Sequence, residues 1–423
     1  MMTNPALREF HFDNGVYRRT PLNTSAIDKD SLDIKRKVRS NPLPWNGQFS
    51  PQLIETLLQE YANEETSVFD PFLGSGTVLL EAGLHGIQAV GTELNPAAFT
   101  LSRLYEYINI PIQTRQRYLK KISILLQEEF KLALPLFHGH ESVIPENTTE
   151  ELQSKLIEAS LKIDDRLENQ LLEALIILLD FGKANFSVEK IFSTWKKISQ
   201  LITSLPFSES PIKSYLGDAR RTPIPNQSID LIITSPPYIN VFNYHQQYRM
   251  SAEALQWDPL SIAKSEIGSN RKHRNNRLFT VIQYCLDISQ VFHELARVCK
   301  TDSRLIFIVG RESTVRGMSF YNGEIVAEIA GQCLNFNLLT RQERVFVNRF
   351  GSTIVEDILH FSPPTEVIAP EFYLERSRGV SDAILKATYS KAPEEIKDDI
   401  GNALENVYRI EPSPIFQLSK EPE

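Results

Sequence analysis

Residues 235–238, Ser-Pro-Pro-Tyr, bring a hydroxyl, two rigid rings and an aromatic face within four positions. The hydroxyl and a backbone carbonyl there can accept hydrogen bonds from an amino group, and the tyrosine can stack on a flat ring. Such a turn suits an amine on a planar heterocycle, for instance a nucleobase taken out of its stack. The tetrapeptide ends the apolar run Ile229-Asp230-Leu231-Ile232-Ile233-Thr234, which predicts a buried strand. Each proline lacks an N–H and has a fixed φ, so the strand must stop there. The chemistry then lies at the C-terminal edge of a strand, where open α/β sheets bind ligands. Taken alone, the four residues fit an ordinary Pro-rich turn equally well.

A second signal lies upstream. Asp70-Pro71-Phe72-Leu73-Gly74-Ser75-Gly76-Thr77 follows apolar Val68 and Phe69 and opens the helical run 78–84. Strand, Gly-rich turn and helix form the first unit of a nucleotide-binding sheet, with free N–H groups at the helix start. The turn is not the Gly-x-Gly-x-x-Gly dinucleotide fingerprint, and no P-loop lysine follows it. The next predicted strand, 88–94, contains Glu93, 19 residues past Gly74. That is the spacing of a ribose-binding carboxylate. A solvated acid at a strand end is the plainer reading.

Three motifs in this order, 70–77, Gly91-Thr92-Glu93-Leu94-Asn95-Pro96 and Thr234-Ser235-Pro236-Pro237-Tyr238, resemble the amino-group DNA methyltransferases that use S-adenosylmethionine. The Ser-Pro-Pro-Tyr version resembles the cytosine-N4 branch of restriction–modification-like enzymes, whereas the adenine-N6 branch usually carries Asp or Asn before the prolines. The likeness covers about residues 37–105 and 213–362. It implies an α/β fold: a Rossmann-like seven-stranded class I methyltransferase sheet, here with a helical insertion subdomain. It implies S-adenosylmethionine as cofactor and no metal. Asp70, Pro71, Phe72, Gly74, Ser75, Gly76 and Thr77 would face its methionine part, Glu93 its ribose and Asp218 its adenine. Trp45 and Phe49 would lie in a loop near the cofactor. Ser235, Pro236, Pro237 and Tyr238 would form the catalytic turn, with Ser235 Oγ and the Pro236 carbonyl accepting the amine's hydrogens and Tyr238 stacking on the base. The implied partners are double-stranded DNA and a cognate restriction endonuclease, with the chain a monomer or a homodimer. An adenine-N6 enzyme, an RNA base N-methyltransferase and a non-catalytic DNA-binding subunit stay open. The short N-terminus leaves no room for the RNA-binding domain expected of the RNA enzymes.

The elements that must hold these residues follow from pattern. Residues 1–36 read as an irregular arm, 37–105 as the cofactor-binding half, 213–362 as the catalytic half and 363–423 as a C-terminal extension. Between the halves, 106–212 is nearly free of strand pattern, a helical insertion for target recognition or dimerisation. Helices are predicted near 97–107, 112–134, 148–162, 166–182 and 187–204, with 168–182 buried. Ser50 before Pro51 predicts an N-cap. A strand at 213–218, a helix at 281–298 and strands at 304–310, 337–347 and 353–361 complete the sheet.

In 423 residues, 42% are hydrophobic and 23% charged, ordinary for a soluble globular chain. The cysteines at 285, 299 and 333 are scattered, which implies neither a disulfide framework nor a zinc site. With no 18-residue apolar run or signal peptide, a prokaryotic cytoplasmic location is expected and a membrane partner is not. The net charge of −8 argues mildly against nucleic acid, but a local basic surface suffices. Three clusters qualify: Lys35-Arg36-Lys37 with Arg39, Arg220-Arg221, and Arg271-Lys272-His273-Arg274 with Arg277. The third is the best DNA candidate. Arg249 joins it from a stretch, 239–249, dense in aromatic and amide side chains suited to bases.

Overall fold

The structure, a computed structural model, describes residues 15–130, 148–184, 186–239, 243–269, 273, 275–348 and 351–417. Seven strands build the central sheet: β1 (Val68–Asp70), β2 (Ala89–Glu93), β3 (Ile212–Leu216), β4 (Ile229–Thr234), β5 (Cys299–Gly310), β6 (Asn337–Val347) and β7 (Thr353–Ser362). Their spatial order is β3-β2-β1-β4-β5-β7-β6. Neighbours from β3 to β5 are parallel, while β7 runs antiparallel to both β5 and β6. This is the expected Rossmann-like sheet. The chain winds outward from β1 to β3, then returns to lay β4 on the other side of β1. That reversal makes the β1–β4 crevice the switch point, where a ligand sits outside the strand ends. Register pairs Phe69 with Ile232 and so brings Asp70 and Thr234, the last residues of their strands, together.

One face of the sheet packs a core that includes Leu53, Ile54 and Val78, and the other a core around the helix Phe279–Val298. The helices between β2 and β3 fall where the apolar period put them: Pro96–Ser102, Ile112–Phe130, Thr149–Leu161, Arg166–Leu179 and Val188–Ser204. The expected end of the second at 134 lies outside the described residues. Leu171, Leu172, Leu175, Ile176, Ile177 and Leu179 are fully buried, each side chain stabilising by roughly 1.5–3 kcal/mol. They share the first core with the sheet rather than enclosing one of their own. Arg115 pins the two ends of the insertion together. It donates to Ile108 O and Ile110 O on the way in and to Leu205 O and Pro206 O on the way out.

Two local expectations change. Pro51 does start the helix Pro51–Tyr61, but the Ser50 hydroxyl makes no cap bond; only its carbonyl accepts from Leu53 and Ile54 N–H. A small antiparallel hairpin, Glu312–Val315 with Met318–Tyr321, follows β5 and was not expected from the sequence. The arm contributes two short helices, Val16–Arg19 and Lys29–Asp33, and docks on β6: Asp33 Oδ1 accepts from Val345 N–H at 2.7 Å. No helix among the described residues is long and apolar enough to cross a membrane.

Candidate active site

The Gly-rich turn leaves β1 and enters the helix Thr77–Leu84 at Gly76. Gly76 has φ +90°, and a Cβ there would press within 2.8 Å of the Tyr105 ring, so both backbone freedom and space call for glycine. At Gly74, φ +55°, the Trp45 ring lies against the backbone. Asn41 and residues 45–49 form a lid over this turn. Thr77 Oγ1 donates to Asn41 Oδ1 and Ser75 Oγ to Gln48 Oε1, both at 3.0 Å. From the other side Trp45 stacks on Tyr244 and Tyr248, and the Tyr248 hydroxyl donates to Pro44 O.

Beneath the lid lies a cleft of about 1000 Å³ including its open mouth. It brings together Trp45, Phe49, Pro71, Phe72, Gly74, Ser75, Thr77, Glu93, Asp218, Ser235 and Pro237. Asp70 and Gly76 brace it from the strand end and the helix start. Glu93 accepts from Gly74 N–H at 2.6 Å and Asn95 N–H at 2.7 Å, one on each carboxylate oxygen. Burial nevertheless pushes its carboxyl up to about 7. Asp70 is wholly buried; Thr234 Oγ1 and Phe72 N–H both donate to its Oδ1. Its Oδ2 has no partner among the described residues, and burial raises its carboxyl to about 7 as well. The Thr234–Asp70 bond, 2.6 Å, ties the two motif-bearing strand ends directly.

Asp218 reaches the cleft, but its carboxylate is already saturated. It accepts from Arg220 N–H, Nε and Nη2 and from Phe416 N–H. Four donors use its lone-pair sites, so its side chain has none left for an adenine amino group. The same contacts correct the view of Arg220 as a surface cation: its side chain is fully buried, paired to Asp218 and Asp287. The signal that sequence reading lacked is the partner pair Arg220 and the segment 413–416, which is remote in sequence. Sequence reading also missed His245. It is buried in the cleft wall, its Nδ1 is 2.9 Å from Glu266 Oε2, and its Nε2 has no partner among the described residues.

The Ser-Pro-Pro-Tyr turn leaves β4 at the crevice. Ser235 Oγ is 3.2 Å from the Tyr238 hydroxyl. The Tyr238 ring lies on Gly310, where a Cβ would come within 2.8 Å of it, and burial raises its phenol. Gly268, φ +71°, passes so close that a Cβ would meet Tyr238 O at 2.3 Å. Asn322 Oδ1 accepts from Ile239 N–H and its Nδ2 donates to Gly310 O, fixing the far end of the turn. A second, wider groove runs along the same turn. It is lined by Ser235, Pro236, Tyr238, Lys35, Lys37, Arg344, Phe346 and Glu356. Trp45–Phe49, Ser235 and Tyr244 are common to cleft and groove.

Of the expected DNA contacts, Arg277 is exposed and Arg249 pairs with Glu253 at 2.6 Å. Arg271, Lys272 and Arg274 lie outside the described residues. Arg39 is spent internally, on Glu55 and Glu81. Among the described residues, no group of three or more His, Cys, Asp or Glu side chains could hold a metal ion.

A sequence profile of the N6/N4 DNA methylase family matches residues 21–103, the stretch that carries the lid, the Gly-rich turn and Glu93. Over this segment the chain is similar to that family. The type II methyltransferase M.BsoBI of Geobacillus stearothermophilus is 23% identical over 279 residues, 52% of this chain and 53% of that one. M.MjaII of Methanocaldococcus jannaschii is 40% identical over 53 residues, 12% of this chain and 10% of that one. The chain thus aligns with about half or less of the length of these methylase relatives. A SAM-dependent methyltransferase of Methanosarcina mazei superposes with TM-score 0.33 at 10% identity, over 73% of this chain and 98% of that one.

Proposed function

We propose that this chain methylates an exocyclic amine of an extruded base in double-stranded DNA, cytosine N4 first among the candidates, using S-adenosylmethionine. One observation carries the reading: Ser235 stands where the cleft beneath residues 45–49 and the wider groove meet. The residues present fit the cofactor. Glu93 offers its remaining lone pairs to a ribose diol, and Trp45, Phe49 and Phe72 offer apolar cover. The unpartnered Asp70 Oδ2, one residue from the cleft wall, marks a polar site without an acceptor's usual donor. His245 Nε2, with Glu266 on its other nitrogen, takes the adenosine role that Asp218 cannot fill.

When bound, the cofactor supplies an electrophilic sulfonium methyl. The base amine is a poor nucleophile because its lone pair is delocalised into the ring. Ser235 Oγ and the Pro236 carbonyl accept its two N–H groups, which lets the nitrogen pyramidalise and frees its lone pair from conjugation with the ring. Tyr238, braced on Gly310, stacks on the base. Positioning and fixed dipoles carry the rate. The nitrogen gains the methyl and then loses one proton to water, since a serine is too weak a base to take it. Exposed Lys37 on the groove edge, beside Lys35 with its Asp30 partner, supports an anionic polymer as substrate, and a prokaryotic cytoplasm fits such work.

The test is mass spectrometry of nucleosides from a methylation-free host expressing the full chain, beside Ser235→Ala. N4-methylcytosine that drops roughly 10²-fold in the variant, with S-adenosylmethionine affinity intact, is the expected result. N6-methyladenine instead would reassign the base. Equal modification in both strains would remove Ser235 from the chemistry.

A further inference from the structure

The groove has an unexplained polar wall. Gly310, which the Tyr238 ring covers, is paired with Glu356 across the β5–β7 ladder. Glu356 is paired in turn with Arg344 across β7–β6. Directly opposed residues point to one face of a sheet. Tyr238, Glu356 and Arg344 therefore form a row on the same face, across about two strand spacings or ~10 Å. Phe346 and Ile354, opposed to each other two positions on, extend that face, and all of these residues line the groove with Ser235.

Within the row, Arg344 is 5% exposed. Its Nη1 lies 3.3 Å from Glu356 Oε2, and its guanidinium sits 4.4 Å over the Phe346 ring. Its Nε is buried without a hydrogen-bond partner among the described residues. A buried guanidinium with an unused donor is costly unless an acceptor arrives. Glu356 and Phe346 hold the guanidinium in the wall of the groove, where an acceptor entering the groove is the partner it can gain. The planar fork matches two adjacent acceptors.

We propose that Arg344, steadied by Glu356, reads the base-pairing edge of the extruded base and selects cytosine over adenine. The proposal rests on Ser235 as acceptor of the amine. Cytosine places N3 and O2, two acceptors in a row, beside its N4 amine. Adenine places N1 beside its N6 amine, followed by a C–H, and would leave one arm of the fork unmet. A polar site built for a partner rejects the analogue lacking it more strongly than an apolar site can.

The test uses the full-length protein, wild type against Arg344→Lys and Glu356→Gln. N4-methylcytosine and N6-methyladenine are both quantified in DNA from a methylation-free host, and S-adenosylmethionine affinity is measured by calorimetry. Arg344→Lys keeps the charge and loses the fork. It should cut N4-methylcytosine about 10- to 100-fold, raise the share of N6-methyladenine and leave cofactor affinity unchanged; Glu356→Gln should do the same more weakly. Wild-type levels and ratio in Arg344→Lys would overturn the proposal. So would a loss of cofactor affinity in step with methylation, which marks a structural role. A wild type that makes mainly N6-methyladenine would overturn cytosine selection and leave the Ser235 reading standing. No modified base in the wild type would overturn both.

Discussion

Asp70 carries the clearest consequence at the scale of a single residue. Its carboxyl sits at about 7 against an ordinary value of 3.8, because burial outweighs the bonds from Thr234 and Phe72. The folded chain therefore holds this proton more tightly than the unfolded one. Between roughly pH 4 and pH 7 the native state binds more protons, so this residue's contribution to stability is lost as pH rises through that window. Asp70→Asn keeps the acceptor for Thr234 and removes the titration. In thermal melts of the cofactor-free protein, the variant should match wild type near pH 4 and gain on it toward pH 8, by on the order of 1–3 kcal/mol. A difference that does not change with pH would mean that Asp70 keeps its ordinary affinity for protons. Asp70, Glu93 and Ser235 were legible as candidates because each sits in a contiguous motif at a strand end. His245 was not: a lone histidine in an aromatic stretch gains meaning only when Glu266 is folded against it.

Among elements, the parallel half of the sheet and the inserted helices could be read in advance, since apolar runs and 3.6-residue periods are local. Cross-strand pairing is not local. Nothing in the sequence around Gly310 says that Tyr238 will lie on it or that Glu356 and Arg344 will stand beside it in register. That pairing makes Gly310 a test of how β5 serves the turn. Gly310→Ala demands no unusual backbone angle, but its Cβ would approach the Tyr238 ring to 2.8–3.3 Å. The ring must move. Stability should fall by about 1–3 kcal/mol, and methyl transfer by roughly 10-fold or more, as expected for a misplaced reacting group, while cofactor affinity holds. Denaturant titration and the nucleoside assay check both, and unchanged activity would show that Tyr238 need not be held there.

At the scale of the molecule, the segment after the last helix closes the structure beneath the cleft. Arg220 donates to Ser413 O, Pro414 O and Ser265 O as well as to Asp218 and Asp287. Asp287 in turn accepts from Ser413 N–H and Oγ, and Asp218 from Phe416 N–H. One buried cation, two buried anions and a strand of backbone thus satisfy one another, while Asp218 and Ser265 also form part of the cleft wall. Arg220→Met leaves two buried carboxylates without their cation and should cost about 3–5 kcal/mol. A chain ending at Ile410 removes the tail's donors and acceptors from the same cluster and should weaken S-adenosylmethionine binding along with stability. Because both changes strip one network, their combined cost in denaturant unfolding should fall short of the sum. Additive costs with full cofactor affinity in the shortened chain would show that the tail is only laid over the surface. A shortfall together with lost affinity would show that residues 411–417 set the floor on which the cofactor lies.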